Sequence, residues 1–403
     1  MAPRAKEVGP SPKRVWHYTT KRLRLKSFFE EPGDRRVDPR IPARDLIWGQ
    51  VVGQLLREHS FHGIEALANS DTRKNLVIGR GFGDDALGYF NARLDPEPIR
   101  QALSSIASRA KRNKAFARSG SIGLAIDGTG AGRRQEHGCD LCHPIKTEDG
   151  KIHGYNHKLC MAAVVGVDMT LPLDVEPYGV GDSEYEAGGR LLARLVGYLG
   201  KRFADHVVVD GGFSTAPFLH RAGKLGLRVV ARLKGNLPEL YAAAQRRFQS
   251  EPPHCELTIG RDRIELWDNG DFDPWETLQW KTVRVVRYRQ HKPNGDVHEA
   301  YWLTDYPRHL ASTERVFRIA KSRWEIENQG FNEAKTSHGL EHIPHHDARC
   351  LQIFWLVLCL ALTIERLFRL RFLRRGTHAP PTAVDFARDM WMALGRPAAL
   401  DTS

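Results

Sequence analysis

From Asp45 to about Arg118, apolar residues recur at three- and four-residue intervals. DLIWGQVVGQLLREH and PEPIRQALSSIASRAKR carry this pattern, which predicts amphipathic helices. The second opens with Pro96 and Pro98 and closes on a run of cations, as helix termini prefer. Then the period changes. SIGLAIDGTG (Ser121 to Gly130) reads as a short apolar strand ending in an acid and a turn. KLCMAAVVGVDMTLPLDVEPY reads as two strands joined near Asp168. SEYEAGGRLLARLVGYLGKRF follows as an amphipathic helix and HVVVDGGF as a buried strand ending in a second acid. TAPFLHRAGKLG is helical, and LRVVARLKGN is another strand.

Residues from about 237 to 300 hold β-like runs such as CELTIGRDRIELW and KTVRVVRYRQ, with turns expected at Asn269-Gly270 and Asn294-Gly295. AYWLTDY is a last strand, and a helix from near Ser312 runs through ERVFRIAKSRWEIENQGF. Strands mixed with helices in this order predict an α/β fold, a mixed sheet covered by helices on both faces.

Charge narrows the partners. The 403 residues carry a formal charge of +12 and 41% apolar residues, so the chain is globular and suits a polyanion. Nucleic acid is the first candidate and an anionic membrane the second. The longest apolar run, IFWLVLCLALTI from Ile353 to Ile364, is too short to span a bilayer and fits a buried helix. The basic opening MAPRAKEVGPSPKR lacks an apolar stretch behind it, and six cysteines then suggest a reduced, cytoplasmic protein. KRVWHYTTKRLRLK sets Trp16, His17 and Tyr18 among cations. It reads either as a solvated tail or as an arm that tracks phosphates while its aromatics stack on bases.

Three carboxylates stand out by position: Asp127 ends the first strand, Asp210 ends the fourth, and Glu327 lies in the helix after the sheet. If the two strands are neighbours, Asp127 and Asp210 emerge side by side, and the helix brings Glu327 to them. Clustered carboxylates repel unless a cation sits between them. Two Mg²⁺ ions suit such oxygen ligands, with Mn²⁺ as a substitute, and a metal pair about 4 Å apart serves in-line phosphodiester displacement.

AIDGTG, VVVDGGF, ARLKGN and RWEIENQGF followed by KTSHGLEH, in this order, resemble the bacterial insertion-sequence transposases of the DDE class. The branch resembled has a β-rich insertion before the final acid. The resemblance implies a ribonuclease-H-like fold, metal-dependent transposition, and Asp127, Asp210 and Glu327 as the metal-binding triad. It also implies terminal inverted repeats and target DNA as partners, a homodimer in the synaptic complex, and residence at the bacterial nucleoid. In that family a Tyr, an Arg, the catalytic Glu and a Lys share one helix. Arg323 and Glu327 match, the Tyr position is Ala320, and Lys335 stands one place late. A single π-bulge near Gly330 absorbs one residue and would swing Lys335 back beside Glu327, onto a DNA phosphate.

The expected organisation is a basic arm over 1–44, a helical DNA-binding domain over 45–118, a catalytic domain over 119–350 with its insertion at about 237–300, and a C-terminal helical region over 351–403. Arg232 and Lys234 end a strand near the active edge and suit phosphate contact; Trp324 suits packing or a stack on an extruded base. Asp268, Asp271 and Asp273 read as surface residues. QEHGCDLCHP offers a zinc site through His137, Cys139, Cys142 and His143, with His153, His157 and Cys160 as further candidates. The alternatives to a transposase are a ribonuclease-H-like nuclease without strand transfer and a transposase-derived DNA-binding protein that has lost catalysis.

Overall fold

A computed structural model describes residues 9–116, 120–374 and 380–395. Among the described residues, ten strands form one mixed sheet: β1 (Gly123–Arg134), β2 (His143–Lys146), β3 (Ile152–Val165), β4 (Leu171–Tyr178), β5 (His206–Val209), β6 (Arg228–Leu233), β7 (Cys255–Ile259), β8 (Asp262–Phe272), β9 (Val283–His291) and β10 (Val297–Thr304). They lie in the order β2-β3-β1-β5-β6-β10-β9-β8-β7, with β4 also paired to β3. The centre is parallel, β1 with β5 and β5 with β6, and the paired stretches 124–126, 207–209 and 229–231 are apolar because helices cover both faces. The crossovers those parallel pairs need are the helices Glu184–Leu199 and Ala216–Lys224. The α/β fold with a mixed sheet flanked by helices is the one the pattern predicts.

The insertion holds an element that its β-like runs do not predict. It begins with a helix, Pro238–Ser250, whose Leu240, Ala244 and Phe248 are buried at four-residue spacing. Pro238 at the first turn and Glu239 beside it are ordinary helix-start signals. Its strands also add to the main sheet, because β10 pairs antiparallel with β6 and β9, β8 and β7 follow outward. Asn294-Gly295 does turn the chain between β9 and β10, with Gly295 at φ +89°. Asn269-Gly270 does not: it lies within β8, where the pairing with β9 is irregular between Asn269 and Phe272.

Four helices (Ala43–Leu55, Phe61–Ala68, Asp84–Arg93 and Pro96–Arg112) make up the N-terminal helical part. Three of them and β4 pack on the long helix Ala348–Phe368, which is buried along nearly all its length. The continuous run Ala348–Leu373 is long and apolar enough to cross a bilayer, yet the protein itself covers it. A boundary at residue 351 therefore falls inside a helix shared by both parts. The aromatics of the basic segment are also committed to packing. Trp16 lies 4.7 Å from the Trp48 ring and 5.2 Å from Phe29, and Tyr18 meets Phe368 and Phe372 edge-on. Burying these rings is worth more than leaving them in water, so they are not offered to bases.

Candidate active site

Parallel pairing of Ile126 with Val209 sets Asp127 and Asp210 one residue further along neighbouring strands. The apolar stretches before them hold both strands in the core. Asp210 follows the last residue of β5, but β1 continues to Arg134, so Asp127 lies within its strand and not at its end, because β3 goes on pairing with the residues beyond it. Asp127 is buried, and its Oδ1 accepts the Gly128 N–H at 3.0 Å. Asp210 precedes the short turn Gly211–Phe213, and Lys234, just past β6, donates to its Oδ2 at 2.7 Å. Asn236 closes that turn by donating to the Gly211 carbonyl.

Glu327 arrives on the helix that follows the sheet. Ser312 caps its N-terminus, and Val316, Phe317, Ile319 and Ala320 bury one face. A buried pair fixes where this helix starts: Arg284 makes two bonds to Asp268, 2.9 and 2.6 Å, and donates to the Ala311 carbonyl. Thr313 donates to the same Asp268 at 2.6 Å. Asp268 is therefore an interior anchor, contrary to its reading as a surface residue; its charge is tolerated inside because every oxygen is bonded.

The helix runs regularly over Thr313–Glu325, becomes π-helical over Ile326–Asn332, and resumes over Glu333–His338. The irregularity lies where the sequence placed it. Glu325 accepts the Gly166 N–H and Gln329 the Thr170 N–H, so the β3–β4 connection clamps the widened turn. Arg366 holds its other side by donating to the Gln329 carbonyl and to Glu333. Lys335, however, pairs with Glu341 at 2.9 Å. The π turn is present, but the ammonium that it was expected to bring to Glu327 is directed elsewhere.

Arg323 is the centre of the cluster. Its Nη1 lies 2.9 Å from Asp127 Oδ2 and 2.8 Å from Glu327 Oε1, with the side chain almost wholly buried. Expected at a phosphate, this guanidinium is turned inward, and it bridges two of the three acids. The bridged oxygens lie within about 6 Å of one another, a span that a metal pair about 4 Å apart also fits.

The electrostatics separate the two aspartates. Burial pushes Asp127 up to about 7; Arg323 opposes the rise, while Glu327 and Glu184 add to it. Burial acts the same way on Asp210, but the Lys234 hydrogen bond and charge, with Arg323, bring it below the ordinary carboxylate range. A fixed cation thus keeps one acid ionised, while the other becomes fully charged only as further positive charge arrives.

Glu184 is a fourth acid that sequence reading missed. It opens the helix Glu184–Leu199, and its carboxylate rests against Gly128, next to Asp127. Tyr178 donates to it at 3.4 Å, and burial, then Asp210, raises it. The available signal was a glycine directly after a candidate ligand, which lets another group approach the backbone.

The remaining nominated residues fall into two groups. Arg232 lies over the Trp302 ring at 5.5 Å and donates to the Glu299 carbonyl. Trp324 packs edge-on to Trp302, with the Lys321 ammonium 4.6 Å from its centroid. Of the zinc candidates, Cys139 and Cys142 meet His157. His143 bonds the Tyr178 carbonyl and His137 lies against the Tyr155 ring, so neither joins the thiols. His143 lies on β2, paired with Asn156, whereas the buried histidine that reaches the thiols is His157, the next residue on β3.

Residues 118–364 match the family model described as "Transposase DDE domain". The chain is also similar to a piggyBac transposase, solved by cryo-EM as a synaptic complex with hairpin DNA. That similarity has 12% identity and a TM-score of 0.46, over 95% of this chain and 80% of the other. Among curated proteins, no match is found.

Proposed function

The chain belongs to the transposase DDE domain family, and from that premise we propose that it binds the ends of a mobile DNA element, cuts them and joins them to target DNA. The observation that carries this reading is the bridge from Arg323 to Asp127 and Glu327, with Asp210 at the same level on the adjacent strand. The donor set is all carboxylate oxygen, the chemistry that Mg²⁺ and Mn²⁺ prefer. Asp127, Asp210 and Glu327 would hold these ions. Once bound, the metal supplies Lewis-acid stabilisation of the phosphoryl oxygens and a nucleophile at neutral pH.

The chain's own groups do the positioning. The central strands hold both aspartates rigid, and the π turn, clamped by Glu325 and Gln329, fixes Glu327 opposite them. Arg323 keeps two acids together that would otherwise repel. Lys234, exposed beside Asp210, offers a cation to an incoming phosphate. Recognition of inverted repeats is assigned to the N-terminal helical part, and pairing of two ends to a homodimer.

The test is cleavage of a labelled element end in Mg²⁺ by wild type, Asp127→Asn, Asp210→Asn and Glu327→Gln. Each variant should lose cleavage while retaining DNA affinity, because affinity comes mainly from cations. Near-normal cleavage by any one removes that residue from the site.

A further inference from the structure

Away from the triad, Cys139 Sγ lies 3.9 Å from Cys142 Sγ, and His157 Nε2 lies 3.3 Å from the first sulfur and 3.6 Å from the second. Three atoms this close on two cysteines and a histidine need an explanation. The cysteines are free, so no disulfide accounts for it. Tetrahedral zinc, with Zn–S near 2.3 Å and Zn–N near 2.0–2.1 Å, sets sulfurs about 3.8 Å apart and sulfur to nitrogen about 3.6 Å. The triangle already has those dimensions.

The surroundings suit such a site. His157 is wholly buried on β3, and its Nε2 is aimed at the two thiols. Cys142 is buried and Cys139 partly exposed, so one corner faces outward. Two soft sulfur donors and one imidazole favour zinc over the magnesium that a carboxylate cluster prefers.

We infer that Cys139, Cys142 and His157 bind one Zn²⁺ per chain, with water at the outward corner. The bond set is two thiolates and a neutral imidazole, and two thiol protons are released to solvent on binding. His157 lies four residues along β3 from Met161, which pairs with Asp127. The zinc therefore sits on the same face of the sheet as the catalytic acid, about 13 Å further along the strand. It ties the loop after β1 to β3 at the base of the β2–β3 hairpin. The site is separate from the triad and independent of the chemistry there.

The experiment measures metal in the full-length chain, grown with zinc and exchanged into metal-free buffer. Wild type and Asp127→Asn should each carry about one zinc per chain, the ratio of a single site. The double variant Cys139→Ser/Cys142→Ser, and His157→Asn, should fall at least tenfold. Cobalt substitution of wild type gives a second readout that needs no variant to fold. It should show thiolate-to-cobalt charge transfer with tetrahedral ligand-field bands, displaced by added Zn²⁺. Wild type without zinc, zinc retained by the double variant, zinc lost from Asp127→Asn, or cobalt without thiolate bands would each overturn the assignment.

Discussion

The carboxylate of Glu184 occupies the space that a side chain on Gly128 would take: a Cβ there would stand 2.4 Å from the carboxyl carbon. Gly128 directly follows Asp127, so the missing side chain lets a fourth acid reach the proposed metal site. Gly128→Ala should therefore displace Glu184 and strain β1, costing about 1–3 kcal/mol. Cleavage should fall by about 10²-fold, as a displacement near 1 Å typically does. Adding Glu184→Ala removes the clash and should restore the melting temperature. A Gly128→Ala protein as stable as wild type would refute the crowding.

Arg323→Ala tests the shared cation. With the guanidinium gone, Asp127 and Glu327 face each other unneutralised, and Asp127 is buried. Loss of one partner from such a pair costs about 3–5 kcal/mol. Because Mg²⁺ can take over the neutralising role, it should raise the melting temperature of the variant more than that of wild type. Equal shifts in both proteins would show that Arg323 and the metal do not share a task.

Asp268→Ala should destabilise the protein by about 3–5 kcal/mol in urea unfolding, since it strands Arg284 without its carboxylate inside the core. The loss should also slow cleavage, because the same pair fixes Ala311 and Thr313 at the start of the helix carrying Glu327. Asp271, which is exposed, should tolerate alanine with no measurable change.

Acid should weaken the fold through His206. Burial, with a smaller push from Arg315 and against the pull of Asp205, takes this imidazole down to about 4. Below its ordinary value near 6.5, the unfolded chain binds a proton that the folded chain refuses. Stability is thus complete above pH 6.5 and is lost as pH falls towards 4. Between pH 7 and pH 5 this one group accounts for about 2 kcal/mol. His206→Leu should reduce that pH dependence in urea titrations at the two pH values; an unaltered slope would assign it to other groups.

Several features were fixed by local sequence alone. The apolar runs before Asp127 and Asp210 became central strands, since strands covered by helices on both faces are apolar where they are covered. The run from Ile353 to Ile364 became a buried helix for the same reason. Gly330 and the one-residue offset of Lys335 marked the π turn, because a weak helix former is where an extra residue is most cheaply absorbed.

Other features depend on partners far along the chain, and periodicity is blind to those. Arg323 meets Asp127 across 196 residues, so only the folded sheet shows that it bridges acids inside the protein. Asp268 looked like a surface acid until Arg284 arrived on the neighbouring strand. Trp16 and Tyr18 lie among cations in sequence yet pack on Trp48, Phe368 and Phe372 in space. Glu184 and His157 joined their clusters through the crossover helix and the register of β3. The sequence determined which segments would be buried and which acids would follow the apolar runs. Tertiary structure decided which charges meet, because burial of a charge is tolerated only where a partner from another element neutralises it.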